Sequence, residues 1–212
     1  MGVSQARFWR RIYLGFSLSL GVISPLICWY MIPDFNPITK PLSYFGVAEI
    51  TAWYWNHSLV IIAIALYVNA KRSLPNHFKS PRHLQFLFSL LSLSFVGLCL
   101  TAIVSMNHLF LHRISAYSFF LGYNLFVFSF GFFRSRKYVR KGMFSMTIGS
   151  LMLLSSLLLL PFPSYGVFEI VYFLLLLFWN AHLFYKRVET EDNTLGKELT
   201  QQNTTNTTSP AT

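Results

Sequence analysis

The sequence predicts an all-α, polytopic integral membrane protein, with six transmembrane helices in one bundle and both termini in the cytoplasm. Three observations lead there: long charge-free blocks, a low content of charged residues, and a one-sided distribution of bases between alternate loops. Hydrophobic residues make up 54% of the chain and charged residues 11%, against about 25% charged in an ordinary soluble domain.

The charge-free blocks are Ile12–Ile32, Ala52–Ala70, Leu84–Met106, Ile114–Phe133, Phe144–Leu160 and Gly166–Tyr185. Their lengths are 21, 19, 23, 20, 17 and 20 residues, and a bilayer core needs about 17–25 residues of helix. Within the six blocks the one acidic or basic residue is Glu169, near the outer end of the last. The first block exceeds the roughly 7–15 residues of a signal-peptide core. No small-x-small cleavage pattern follows it, so it reads as a retained span.

Orientation follows from the bases. The arm 1–11 holds Arg7, Arg10 and Arg11, the next even-side loop holds Lys71, Arg72, Lys79 and Arg82, and the third holds Arg134, Arg136, Lys137, Arg140 and Lys141. With Lys186, Arg187 and Lys197 in the tail, 15 bases fall on one side, while Lys40 and Arg113 are the 2 on the other. Bases in short loops mark the cytoplasmic side, which places both termini inside and suits a bacterial inner (plasma) membrane. Topology also accounts for the pI near 9.8, and no nucleic-acid motif accompanies it. The polar stretch 186–212 reads as a disordered cytoplasmic tail. Its sequons at Asn203 and Asn206 then face the wrong side for glycosylation.

Catalytic signatures such as a Walker loop, GxSxG, HExxH and CxxC are absent from the sequence. No cofactor is implied, and Cys28 and Cys99 read as apolar filler inside spans. What remains is polar residues at costly depths. Asn56 and His57 lie one turn inside the second span, where unsatisfied groups should face the bundle interior or a wet cavity. The plain reading is interhelical hydrogen bonding, and the sharper one is the lining of a ligand cavity. Asn124, at the middle of the fourth span, reads as an interhelical clamp.

His108 and His112 have i, i+4 spacing if one helix carries both. Asp34, Glu49 or Glu169 would then complete a metal set, although two histidines alone do not make a site, and no metal is assigned. Trp53, Tyr54 and Trp55 read as an interfacial aromatic belt, and Asn180 and His182 as side chains reaching the headgroups. Pro25 should kink the first span. Ser145 and Gly149 give the fifth a small-xxx-small face. The basic run Arg134–Lys141 can also attract anionic lipid, but topology explains it without a ligand.

Three stretches together carry a resemblance. PLSYFGV (Pro41–Val47) looks like a P-[IL]-S-x-x-G loop between two spans. WYWNHSLVIIAIAL (Trp53–Leu66) is similar to a Trp-x-Phe-Asn span entry, with Trp55 in place of Phe. HRISAYSFFLG (His112–Gly122) looks like a His-x-x-x-Ala-x-x-x-Phe entry. In this order they resemble the Frag/DRAM/Sfk superfamily of six-helix membrane proteins, in its uncharacterised bacterial and archaeal branch.

That resemblance implies a six-helix bundle whose family positions are Ser43, Gly46, Asn56 and His112. Eukaryotic relatives are associated with lipid-anchor remodelling, membrane-lipid organisation and lysosomal regulation. This chain has SMNHLFLH (Ser105–His112) where many members carry an acidic turn, so a role tied to that acid does not carry over.

Three functions compete. The first is a non-enzymatic protein binding membrane lipid, or another membrane subunit, through an outward-facing cavity formed by Ser43, Gly46, Glu49, Asn56, His57, His108, His112 and Glu169. The second is a lipid-modifying enzyme using the outer histidines as acid and base. A transporter or channel has the least support, because no span carries a charge at its midplane and no broken-helix pair is present.

Overall fold

The computed structural model describes residues 3–104 and 106–183. The side chains of Arg7, Arg10 and Arg11 and the whole tail, with Asn203 and Asn206, lie outside the described residues. Six α-helices are found among those described: α1 (Val3–Met31), α2 (Ala52–His77), α3 (Pro81–Ile103), α4 (Leu109–Ser135), α5 (Val139–Leu154) and α6 (Gly166–Leu183). Short 3-10 segments occupy Leu42–Gly46, Met106–His108 and Ser155–Leu159. No strand is present among the described residues.

Five of these helical stretches are long and apolar enough to cross a bilayer, and α1 contributes a shorter apolar stretch, Gly15–Met31. Large apolar side chains cover their outer surfaces, as at Ile103, Phe110, Leu121 and Leu174. Such an exterior is at home in hydrocarbon and costly in water. The chain is an integral membrane protein.

The helices run past the charge-free blocks into polar flanks. Helix α2 continues through Pro75 to His77, leaving only residues 78–80 before Pro81 opens α3. Proline is tolerated there because the first-turn N–H has no intrahelical acceptor. Pro25 sits inside α1, which continues on both sides of it.

Close approach is set by small residues. A β-carbon on Gly97 would stand 2.6 Å from the Phe119 backbone nitrogen, and one on Gly131 would stand 2.5 Å from that of Met146. Helix α4 therefore lies backbone to backbone against α3 and α5, where dispersion and packing, rather than expulsion of water, hold helices together. Helix α6 fills the middle with Phe168, Tyr172, Leu176, Trp179 and Asn180, all buried. Its polar tips are paired: Tyr172 donates to the Phe120 carbonyl at 2.8 Å, and Trp179 Nε1 donates to Ser145 Oγ at 3.0 Å.

Asn180 differs from its sequence reading. It is 3% exposed and donates to the Tyr123 hydroxyl at 2.8 Å, inside the bundle and away from any headgroup. The reason is helical phase: Asn180 follows Trp179 and lies four residues after Leu176, both on the inward stripe.

Candidate functional site

The connection from Pro33 to Thr51 is a built structure rather than a slack loop. A ladder of aromatic rings runs through it, with centroids 5.3 Å apart for Trp29–Phe35, 4.3 Å for Phe35–Phe45 and 5.3 Å for Phe45–Trp55. Phe45 is fully buried. Hydrogen bonds secure the turn: Thr51 Oγ1 donates to the Phe45 carbonyl at 2.8 Å and Asn56 Nδ2 to the Gly46 carbonyl at 3.1 Å. A β-carbon at Gly46 would lie 2.6 Å from Asn56 Oδ1, so the glycine admits the asparagine.

The same loop is tied to the start of α6, far along the chain. Ser164 Oγ donates to the Pro37 carbonyl at 2.9 Å and accepts the Gly166 N–H at 3.1 Å. The Glu169 carboxylate accepts the Leu42 N–H at 2.5 Å, and the Ser43 N–H also bonds to it. Glu169 sits in the first turns of α6, where the helix dipole favours negative charge. Two donors that a 3-10 turn leaves over meet an acceptor that hydrocarbon would otherwise reject.

Beneath this lid lies a cavity of about 60 Å³ between four helices. Trp55 and Leu59 of α2, Leu98 and Thr101 of α3, Ala116, Phe119 and Phe120 of α4, and Glu169 and Phe173 of α6 form its walls, with Leu42 and Ser43 above. Beside it a space of about 10 Å³ is lined by Ser43, Gly46, Asn56, Thr101, Val104 and His112, among others. A water needs roughly 10–15 Å³ of such space, so the smaller void holds one water at most. The larger one is apolar and suits hydrocarbon.

Ser43, Gly46, Asn56 and His112 thus surround one small void, and Ser43 and Glu169 share the larger one. His112 is 7% exposed and its Nδ1 lies 2.8 Å from the Val104 carbonyl. A carbonyl only accepts, so Nδ1 carries the proton, and a neutral ring keeps Nε2 as acceptor. That bond joins the end of α3 to α4.

The other three residues lie elsewhere. His57 is exposed, lies tilted against the Trp53 ring at 4.5 Å and bonds through Nδ1 to the Trp53 carbonyl of its own helix at 2.6 Å. Trp53 is 74% exposed, whereas Trp55 is 4% exposed. The expected aromatic belt is therefore split, with Trp55 serving as a cavity wall. His108 is exposed on the 3-10 turn ahead of α4, and Glu49 is exposed on the loop. Among the described residues no three His, Cys, Asp or Glu side chains come together as a metal set.

Asn124 bridges α4 and α5. With its amide oriented so that donors meet acceptors, Nδ2 donates to the Gly149 carbonyl at 2.8 Å and Oδ1 accepts the Leu153 N–H at 3.1 Å. Those two groups are an i, i+4 pair of α5 itself, just before that helix tightens into the 3-10 segment Ser155–Leu159. At the opposite end of the bundle, Arg136, Lys137, Arg140 and Lys141 are exposed and Arg134 is half-buried. Arg134 lies over the Phe130 ring at 5.6 Å and Arg136 over Phe132 at 5.0 Å.

Sequence reasoning missed the pairing of Glu169 with the lid and the contact of Tyr117 with Tyr165, whose hydroxyl oxygens lie 3.0 Å apart. Glu169 was visible as the lone acid in a span, but its partners are backbone N–H groups, which carry no residue signature. Neither a family model, nor a curated protein, nor a solved structure matches this chain.

Proposed function

We propose that this chain is a six-span protein of the bacterial plasma membrane, both termini cytoplasmic, that binds membrane lipid without chemical turnover. One hydrocarbon chain enters the cavity beneath Leu42 and Ser43. The observation that carries this reading is the cavity itself, apolar on nearly every wall and roofed by a rigid loop. A hydrocarbon chain loses nothing by leaving the bilayer for such walls and gains close contacts.

The resemblance to the Frag/DRAM/Sfk superfamily supports the same end of the bundle, since its Ser43, Gly46, Asn56 and His112 adjoin the cavity. A lipid-modifying enzyme needs an acid or base at the reacting atoms. His57 and His108 lie outside the cavity, and one nitrogen of His112 is spent on Val104. The binding reading is therefore favoured over the enzymatic one.

Native mass spectrometry of the gently purified full chain tests it. Wild type should retain lipid adducts that Ala116→Phe, which fills the cavity, removes while the protein stays monodisperse. Equal retention by both would overturn the cavity assignment. Orientation is tested separately by cysteines placed in Pro41–Ala48 and in Arg134–Met143, of which only the first set should react with an impermeant reagent on intact cells. Equal labelling would defeat the charge argument.

A further inference from the structure

We propose that the seam between α4 and α6 carries a phosphate-binding headgroup subsite for that lipid, formed by Arg113, Tyr117 and Tyr165. The proposal rests on the lipid-binding reading above and adds the chemical class of the headgroup. Arg113 stands four residues before Tyr117, so both occupy one face of α4, and the guanidinium is within electrostatic reach of that phenol. The Tyr117 and Tyr165 hydroxyl oxygens, 48 residues apart in sequence, meet at 3.0 Å.

Each phenol has one proton and can accept as well as donate. One tyrosine donates to the other, and the receiving tyrosine keeps its own O–H to offer outward. The cluster therefore presents an O–H donor beside a guanidinium fork. That pairing matches the oxygens of a phosphate, which take charge-assisted hydrogen bonds from arginine.

The location fits a lipid rather than a soluble anion. Ala116 and Phe120, which wall the cavity, lie three and seven residues after Arg113 on the same side of α4. On the facing element Tyr165 directly precedes α6, and Glu169 lies one turn further in. A chain in the cavity thus leads out to the tyrosine pair within about one helical turn, roughly 6 Å. Tyr117 is 50% exposed, so a headgroup can reach it from the membrane surface. The Glu169 carboxylate, one turn deeper, is occupied by the Leu42 and Ser43 N–H groups. Lys40, the other base at this end, holds its ammonium over the Tyr44 ring at 4.6 Å, which leaves Arg113 as the base of this cluster.

The test compares dioleoyl phosphatidylglycerol with dioleoylglycerol, which has the same chains and no phosphate, by native mass spectrometry titration of the full chain. Wild type should prefer the phospholipid by roughly tenfold, the value of one charge-assisted hydrogen bond. Arg113→Gln and Tyr117→Phe should each reduce that preference at least severalfold and leave dioleoylglycerol binding unchanged. Arg113→Lys, which keeps the charge without the fork, should fall between.

A wild type without preference, or variants that keep it, would overturn the subsite while leaving the cavity reading intact. Binding of neither lipid would overturn both. Displacement by glycerol phosphate alone would mark a site for free phosphate, against the lipid assignment. A variant that loses dioleoylglycerol as well would place these residues in the fold rather than at a headgroup.

Discussion

The two ends of the bundle solve opposite problems. At the loop end, several polar groups are drawn into the protein and pair with backbone: Glu169 with Leu42, Asn56 with Gly46, His112 with Val104, Thr51 with Phe45. At the basic end, charges stand outside and rest on rings, as Arg136 does on Phe132. Buried pairings are specific and costly to break, because the abandoned partner keeps its desolvation penalty. Exposed cations over rings are worth only about 0.5–1 kcal/mol and adapt to replacement. The contrast puts the specific, buried pairings at the loop end and the exposed charges at the other.

The sharpest way to break this comparison is Glu169→Leu. Two N–H groups then lose their acceptor, and stability in detergent should fall by about 2–3 kcal/mol. Amide exchange across Leu42–Gly46 should rise while that of α5 stays as it was. Unchanged exchange in that segment would show that other contacts hold the lid.

A smaller loss, ~1 kcal/mol, is expected for Asn124→Leu, since the Gly149 carbonyl and Leu153 N–H can close on each other within α5. Chemical unfolding in mixed micelles reads this difference, and a stability gain would mean that Asn124 is kept for something other than packing. The smallest effect belongs to the basic end. Arg136→Gln with Lys137→Gln should move stability by less than about 0.5 kcal/mol, with any phenotype appearing in the orientation of inserted chains. A stability loss as large as that of Glu169→Leu would erase the distinction between the ends.

The long apolar helices were legible in the sequence because charge-free length is a direct consequence of bilayer thickness, and five of them are long and apolar enough to cross a bilayer. Ser43, Gly46, Asn56 and His112 stand out in the sequence as polar or small residues near span ends, and the structure sets all four round one void. Helical phase was harder to read. Asn56 and His57 are neighbours, yet 100° of rotation sends one to the loop and the other to the outside, and a uniformly apolar span gives no moment to fix that phase. Asn180 was misread for the same reason. The ties of Pro37 to Ser164 and Leu42 to Glu169 were illegible because backbone groups are common to every residue.

The bond from Leu42 to Glu169 spans 127 residues, and this has a consequence for how the protein is made. The lid lies between α1 and α2, whereas its acceptor arrives on α6. At about 5–20 residues per second of synthesis, the lid waits roughly 6–25 seconds for its closure. During that interval the Leu42 and Ser43 N–H groups have only water or headgroups as partners, and the cavity has no fourth wall. A chain halted before Gly166 therefore leaves that cavity open on the α6 side. The cavity gains its last wall only once α6 has been made.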